Sequence, residues 1–166
     1  MDLIQALENS CNEFSSAASG LSFEQEKKRP AAGAWSILDC AEHVALVERR
    51  ILHSLKTASE SDVPAADAAK EAQLAAMVSS RERKVTAPEA VQPTGRYSTV
   101  AEALADFQAA RAKVIAFAEQ RGERLYEFAM KHPFFGVLNG AEMITVLIGH
   151  TARHRDQVQE IKLQNG

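Results

Sequence analysis

The 166-residue sequence has no excess of basic charge, which argues against a nucleic-acid-binding function. Lysine and arginine together number 19, against 22 aspartates and glutamates, and the formal net charge is -3. A protein that neutralises a phosphate backbone needs a basic surface, and this composition does not supply one. We therefore expect no nucleic-acid partner.

Long apolar runs and cysteines are also scarce. The longest apolar run, around residues 143–148, is far shorter than the roughly 20 residues needed to span a bilayer. The opening Met-Asp-Leu-Ile-Gln has no basic region followed by an apolar one, so we expect neither a signal peptide nor a membrane partner. Two cysteines, Cys11 and Cys40, are too few for a disulfide framework. These absences predict a protein of the reduced cytoplasm.

Proline and glycine are scarce, whereas alanine is abundant. The chain contains 5 prolines and 8 glycines but 29 alanines, and alanine has the highest helix propensity. Hydrophobic residues make up 46% and charged residues 25%, as in soluble globular proteins. The length suits one domain rather than two. We therefore expect a single all-α domain spanning residues 1–166.

Apolar residues recur at helical spacing in four long segments. Residues that cap helices stand before three of them: Ser36 with Asp39 three residues later, Ser98, and Asn139. Gly122 is expected to bend or interrupt the third segment. The four predicted long helices cover residues 2–18, 36 to about 55, 98–128, and 139 almost to the carboxyl terminus.

The remaining segments are predicted to contain little regular structure. An alanine-rich stretch over residues 67–84 favours a weaker helix, residues 57–64 and 86–96 are predicted loops, and residues 131–136 are a predicted turn. No segment shows sustained alternation typical of a strand. The pattern predicts a four-helix bundle with one or two short extra helices.

The last helix carries two histidines near the middle of its apolar face. His150 and His154 are one turn apart, and with Leu147 they lie within about 40° of one another. A buried imidazole needs partners for both nitrogens, and two adjacent rings strain that requirement. A divalent metal ion accepts lone pairs from both rings without charging them. The spacing therefore indicates a metal site, and ordinary core hydrogen bonding remains the alternative.

His43 is the best candidate for a third ligand. It lies at the margin of the apolar stripe of the second long helix, from which it could face a neighbouring helix. Three neutral histidines leave coordination positions open, which is typical of catalytic rather than structural metal sites. The other two histidines are expected elsewhere, His53 on a polar helix face and His132 in a turn.

Several residues near these histidines have an ordinary structural explanation besides a functional one. Asp39 could be a ligand, but helix capping is simpler. Cys40 could bind a soft metal, although a small buried hydrophobe is the favoured interpretation. Gln157 could bind a water or substrate beside the metal, or make a core hydrogen bond. Trp35 could line a pocket or pack, and Arg153 is expected to be solvated.

Four stretches of the chain share features with one known family. They are Trp35-Ser36-Ile37-Leu38 leading to Glu42-His43-Val44; Ala87-Pro88 through Pro93-Thr94-Gly95-Arg96 and Glu102-Ala103-Leu104; His132-Pro133-Phe134-Phe135-Gly136; and the closing histidine, three residues, histidine, two residues and glutamine within 149–158. In these stretches the sequence resembles the DinB-like superfamily, also called the DinB/YfiT-like metalloenzymes. The resemblance spans roughly residues 10 to 162.

The resemblance implies an up-down-down-up four-helix bundle, often dimeric, with nickel or zinc held by three histidines. Carried over position by position, those ligands are His43, His150 and His154. The family includes transferases and isomerases that use low-molecular-weight thiols, so the resemblance implies a thiol-dependent transferase acting on a small-molecule electrophile, working as a homodimer. A metal-dependent hydrolase and a non-catalytic bundle that binds a ligand or partner are the alternatives.

Overall fold

The computed structural model describes residues 2–166 and is mainly helical, as predicted. Short 3₁₀ turns at Glu89–Val91 and Gly122–Glu127 and one β-hairpin complete the fold. None of the helices in the described residues is both long and apolar enough to cross a membrane. The helices are α1 (Leu3–Ala18), α2 (Phe23–Lys27), α3 (Ile37–Lys56), α4 (Ala68–Ser79), α5 (Val100–Arg121) and α6 (Gly140–Asn165).

Reciprocal capping starts the two helices that carry the candidate metal ligands. The Asp39 amide donates to Ser36 Oγ and the Ser36 amide donates to the Asp39 carboxylate at the start of α3. Asn139 and Glu142 make the same pair of bonds at the start of α6. Each pair satisfies two of the amides that a helix start leaves free. Both starts therefore lie where the sequence predicted them.

The start of α5 differs from the prediction by one residue. The hydroxyl of Thr99, not that of Ser98, accepts a hydrogen bond from the Glu102 amide. The Glu102 carboxylate in turn accepts from the Ser98 amide at 2.7 Å. Both residues are good caps, and the three-residue distance from Thr99 to Glu102 decides between them.

The order of the helices follows from two apolar clusters at opposite ends of the bundle. At one end the carboxyl-terminal halves of α1 and α6 meet the amino-terminal halves of α3 and α5; at the other end the halves are exchanged. The helices therefore run up-down-down-up, as the resemblance implied. The first cluster includes Phe14, Ala18, Ile37, Val44, Val100, Phe107, Val158 and Ile161, and the second includes Leu7, Ile51, Leu55, Val114, Ala118, Met143, Ile144 and Leu147.

The connection between α3 and α5 places α4 on the outside of the bundle. Leu74 and Val78 of α4 are buried against α6. The helices approach closely at Gly149, where an added Cβ would lie 3.1 Å from the Val78 Cβ atom. α4 ends at Ser79 rather than near residue 84, because the chain becomes extended at Ser80.

A short hairpin between α5 and α6 corrects the prediction that the chain contains no strand. β1 (Ala129–His132) pairs antiparallel with β2 (Gly136–Asn139). The predicted turn is present, but it is the tip of this hairpin. Strands of four residues are too short for alternation to be recognised in the sequence. Gly122, with φ of +52°, interrupts the helical segment as expected, but α5 ends at Arg121 rather than continuing to residue 128, because residues 122–127 form a 3₁₀ turn.

Candidate metal centre

Three histidines from two helices meet inside the bundle. His43 comes from the second turn of α3, and His150 and His154 come from successive turns of α6. The His150 Nε2 atom is 3.0 Å from His43 Nε2 and 3.1 Å from His154 Nε2. His43 and His154 are buried and His150 is half-buried. The structure thus brings together all three predicted ligands in an arrangement that could hold a metal ion.

The outer nitrogens of two rings have hydrogen-bond acceptors. His43 Nδ1 lies 2.6 Å from the Val91 carbonyl oxygen, and His154 Nδ1 lies 2.8 Å from Gln157 Oε1. Because these oxygens only accept, Nδ1 carries the proton and the Nε2 lone pair points inward. Gln157, whose role the sequence left open, thus orients a candidate ligand.

The cluster fits a divalent ion better than it fits hydrogen bonding among its own rings. His150 Nε2 can donate only one proton to the two inward lone pairs. Among the described residues, its buried Nδ1 atom has no hydrogen-bond partner. Tetrahedral zinc bound by imidazole has nitrogen atoms about 3.3 Å apart, close to the 3.0 and 3.1 Å separations here. Imidazole donors suit zinc and nickel alike. The residues present therefore fit the metal that the resemblance implies.

Burial keeps the three rings in the neutral form that binds metal. It lowers the pKa of His43, and the hydrogen bond to Val91 opposes that shift. It also lowers the pKa of His150 and His154 well below their usual range, with the other rings of the cluster adding to the effect. The lone pairs are therefore free near neutral pH.

Trp35 forms a wall of the cluster. Its ring centroid lies 4.9 Å from that of His43 and 6.1 Å from that of His154, and it is nearly parallel to the latter ring. Trp35 itself is half-buried. It therefore lies against His43 and beside His154, two of the candidate ligands.

Glu42, next to His43, holds a loop against α3. Its buried carboxylate accepts hydrogen bonds from three successive backbone amides, those of Thr94 at 2.7 Å and of Gly95 and Arg96 at 3.1 Å. These amides belong to the strap, by which we mean residues 87–96, and the strap also supplies the Val91 carbonyl. Sequence reasoning did not assign this role. The signal available in the sequence was the acidic residue Glu42 directly before the candidate ligand His43.

The residues with two interpretations have structural roles. Asp39 caps α3 and pairs with Arg29 at 3.0 Å. Cys40 is fully buried, and burial raises the pKa of its thiol. In the described part of the chain the cluster that could hold an ion includes neither residue. His53 is exposed, as its polar helix face indicated. His132 was expected in a turn, but it is the last residue of β1, where it is half-buried just before the turn.

Arg153 corrects the prediction of a solvated charge. Its guanidinium donates hydrogen bonds to the carbonyl oxygens of Ser80 and Arg83, the latter at 2.6 Å. Nearby, Arg81 pairs with Glu160 of α6 at 2.7 Å. These contacts fasten the chain after α4 to the helix that carries two of the candidate ligands.

A second buried polar centre lies deeper in the bundle. The Arg111 guanidinium of α5 makes two bonds to the Glu48 carboxylate of α3, at 2.5 and 2.9 Å. Its other donors contact the Leu7 carbonyl and Ser10 hydroxyl of α1 and the Thr151 hydroxyl of α6, at 2.7 to 2.8 Å. Arg111 therefore joins all four long helices.

This arginine centre was missed by sequence reasoning, although the sequence contains a signal. The apolar stripe of α5 has a gap where its spacing calls for a buried residue, and Arg111 fills that gap. An arginine at such a position indicates a buried acceptor on a neighbouring helix. Which acid it meets depends on how the helices pack.

Comparisons with known proteins agree with the fold and identify the family. The sequence model of the DinB superfamily matches residues 6–158. The protein YuaE of Bacillus subtilis (strain 168) is 25% identical over 143 residues, which cover 86% of each chain. The crystal structure of TT2238, a four-helix bundle protein, is similar with a TM-score of 0.62 at 23% identity, covering 96% of this chain and 97% of that one. The latter likeness supports the fold alone.

Proposed function

Because the chain belongs to the DinB superfamily, we propose that it is a metal-dependent enzyme that transfers a low-molecular-weight thiol to small electrophilic molecules. The proposed ligands are His43, His150 and His154, and the proposed ion is nickel or zinc. The convergence of the Nε2 atoms at 3.0 and 3.1 Å is the observation that supports this proposal most directly.

The protein's own residues prepare this site in three ways. Burial keeps the three rings neutral. Val91 and Gln157 hold two of them with Nε2 inward, and the Trp35 ring lies beside the same two rings. When bound, an ion with open positions supplies Lewis-acid activation, which lowers the pKa of a thiol or water nucleophile.

Neither cysteine of the chain is suited to act as the thiol at this site. Cys40 is fully buried, and burial raises its pKa, so it stays protonated and inaccessible. Cys11 is half-buried in α1, is not paired with Cys40, and also has a raised pKa, caused first by burial. We propose that the protein uses a free low-molecular-weight thiol, in the reducing cytoplasm and as a homodimer.

The first test is the metal content of untagged protein, measured by mass spectrometry. We expect about one nickel or zinc ion per chain, and at least about tenfold less in the His154→Ala variant, because that change removes a ligand. The His53→Ala variant, which alters an exposed histidine, is the matched control and should keep its metal. Substoichiometric metal in the wild type, with unchanged thermal stability in His154→Ala, would contradict the proposed site.

The second test is turnover of an electrophile such as 1-chloro-2,4-dinitrobenzene with a panel of small thiols. We expect thiol-dependent turnover by the metal-loaded wild type and its loss in His154→Ala. Metal-dependent hydrolysis without any thiol would favour the hydrolase, and metal binding with no turnover would favour the ligand-binding bundle. Light scattering on the same sample tests the homodimer.

A further inference from the structure

We propose that Glu42 is a positioning residue that sets the metal affinity of the site through the strap. In this proposal the Glu42 carboxylate holds residues 87–96 where the Val91 carbonyl accepts a hydrogen bond from His43 Nδ1. The inference rests on the proposed metal site, since it concerns how strongly that site binds its ion. Glu42 itself does not contact the cluster in this role.

The bonds from Glu42 to the strap are short and numerous. Three successive amides, at Thr94, Gly95 and Arg96, donate to its two oxygens, and the carboxylate is almost completely buried. Gly95 has a φ of +80°, a left-handed conformation that lets neighbouring amides face one acceptor. Hydrogen bonds to an ionised acceptor are about twice as strong as neutral ones. Glu42 is thus a firm anchor for this loop.

The strap has few other anchors to the bundle. Val91 is its one deeply buried side chain, whereas Gln92 and residues 94–96 are exposed. The Gln92 side chain bonds to the Ala87 carbonyl, which is a contact within the strap itself. The Glu42 bonds and the Val91 contacts with α3 therefore determine where this segment sits.

The position of the strap reaches the metal site through one hydrogen bond. The Val91 carbonyl lies 2.6 Å from His43 Nδ1, on the opposite side of the ring from the inward Nε2. An acceptor on the outer nitrogen orients a histidine ligand and makes its other nitrogen more basic. Glu42 and His43 are adjacent on α3, so one short stretch of helix both anchors the strap and uses its carbonyl.

Thermodynamic linkage makes the coupling between the strap and the bound metal reciprocal. If the ordered strap favours metal binding, the bound metal must favour the ordered strap by the same factor. The strap amides therefore report on the metal without being ligands. This expectation separates positioning from a purely structural role, since a loop anchor unconnected with the site would not respond to the ion.

The first experiment compares Glu42→Gln with the matched control Glu142→Gln. Glutamine keeps the shape but presents an amide group to the strap donors and removes the charge. Glu142 is equally buried, but it accepts from the Asn139 amide at the start of α6 and pairs with Lys70 of α4 at 2.8 Å, away from the cluster. Zinc affinity is measured by competition with a chromogenic chelator, and the cobalt absorption spectrum reports the ligand geometry.

We expect Glu42→Gln to bind one zinc ion about 10 to 100 times more weakly than the wild type, as is typical when a partner of a metal-bound histidine is lost. Its cobalt spectrum should shift, and Glu142→Gln should stay within about twofold of the wild type. A zinc affinity of Glu42→Gln within about twofold of the wild type would overturn the inference.

The second experiment needs no variant and therefore does not depend on the folding of Glu42→Gln. Hydrogen exchange of the wild-type amides of residues 94–96 is measured without zinc and at saturating zinc. We expect exchange to slow by about tenfold or more with zinc, and the Asn139 amide, held by Glu142, to show no such change. Equal rates at 94–96 in both conditions would refute the coupling.

The two proposals fail in different ways. If the wild type binds no zinc, or binds zinc equally well after His154→Ala, the proposed metal site itself is wrong. If the wild type binds zinc through the three histidines but neither Glu42→Gln nor the strap amides respond, only the role of Glu42 is wrong.

Discussion

The bundle contains two buried polar centres that both join α3 to α6, and they differ in completeness. At Arg111 every guanidinium donor has an acceptor: two bonds go to Glu48, one to Ser10, one to Leu7 and one to Thr151. In the histidine cluster the Nε2 atoms face one another. The first centre is satisfied by the protein alone, whereas the second needs something added.

The difference separates a structural polar group from a binding site. Charges as deeply buried as Glu48 and Arg111 are tolerated because each has its full set of partners. Burial raises the pKa of Glu48, and the Arg111 guanidinium opposes that shift. The neutral histidines avoid the cost of buried charge, but one proton on His150 Nε2 cannot fully satisfy the lone pairs of both neighbouring rings. Burial alone therefore does not identify a functional residue; an unmet bonding requirement does.

The largest expected effect comes from breaking the complete centre. Arg111→Met leaves Glu48 buried without its cation, so we expect a loss of roughly 3–5 kcal/mol in the free energy of unfolding. Chemical denaturation measures this loss. Adding Glu48→Leu to Arg111→Met should restore much of it, because the uncompensated charge is gone. If Arg111→Met had the same free energy of unfolding as the wild type, the network would contribute little to stability.

Metal addition should stabilise the incomplete centre and leave the complete one unaffected. At a free zinc concentration of one hundred times Kd, we expect the wild type to gain about 2.7 kcal/mol in the free energy of unfolding. His154→Ala should show no such gain, since a ligand is missing. Thermal denaturation with zinc and with a chelator tests both. An equal gain in the two proteins would place the ion elsewhere.

The histidine centre should also make the stability of the metal-free protein depend on pH. The three rings have lowered pKa values when folded, whereas an unfolded histidine titrates near 6.5. Below pH 6.5 the unfolded chain therefore binds more protons than the folded chain. The free energy of unfolding contributed by each ring is fully present above pH 6.5. As the pH falls below that value, it decreases by up to about 1.4 kcal/mol per pH unit for each ring. Denaturation at pH 7.5, 6.5 and 5.5 should show a shallower slope in His154→Ala.

The smallest effect is expected from the hydrogen bond that orients one ring. Gln157→Ala removes the acceptor on His154 Nδ1, so we expect zinc affinity to fall by about tenfold with only a small change in stability. Gln159→Ala, an exposed position on the same helix, is the control and should bind zinc like the wild type. Equal affinities in both variants would show that Gln157 only packs.

Features governed by local spacing were predictable from the sequence. The distance from His150 to His154 places both rings on one helix face whatever the rest of the chain does. The capping pairs at Ser36 and Asn139 are likewise contained within four residues. The histidine cluster could be predicted for this reason, with His43 added by its place at the edge of an apolar stripe and by the family resemblance.

Features that depend on distant segments were not predictable in this way. Glu42 meets amides about fifty residues further along the chain, and Arg111 meets three other helices. The misplaced cap of α5 is a local exception, because the three-residue distance from Thr99 to Glu102 that decides against Ser98 is present in the sequence. The hairpin was missed because its strands are very short. Such outcomes depend on packing rather than on periodicity.

The hydrogen bonds of Thr151 affect how the helices are aligned along their lengths. Thr151 is the residue after His150. Its hydroxyl accepts a hydrogen bond from Arg111 and donates one to the Leu147 carbonyl. Apolar helices can slide past one another by a turn at little cost, because one aliphatic contact replaces another. Here such a slide would separate Thr151 from Arg111 and both α6 histidines from His43 together. The two polar centres therefore fix a single register between α3 and α6.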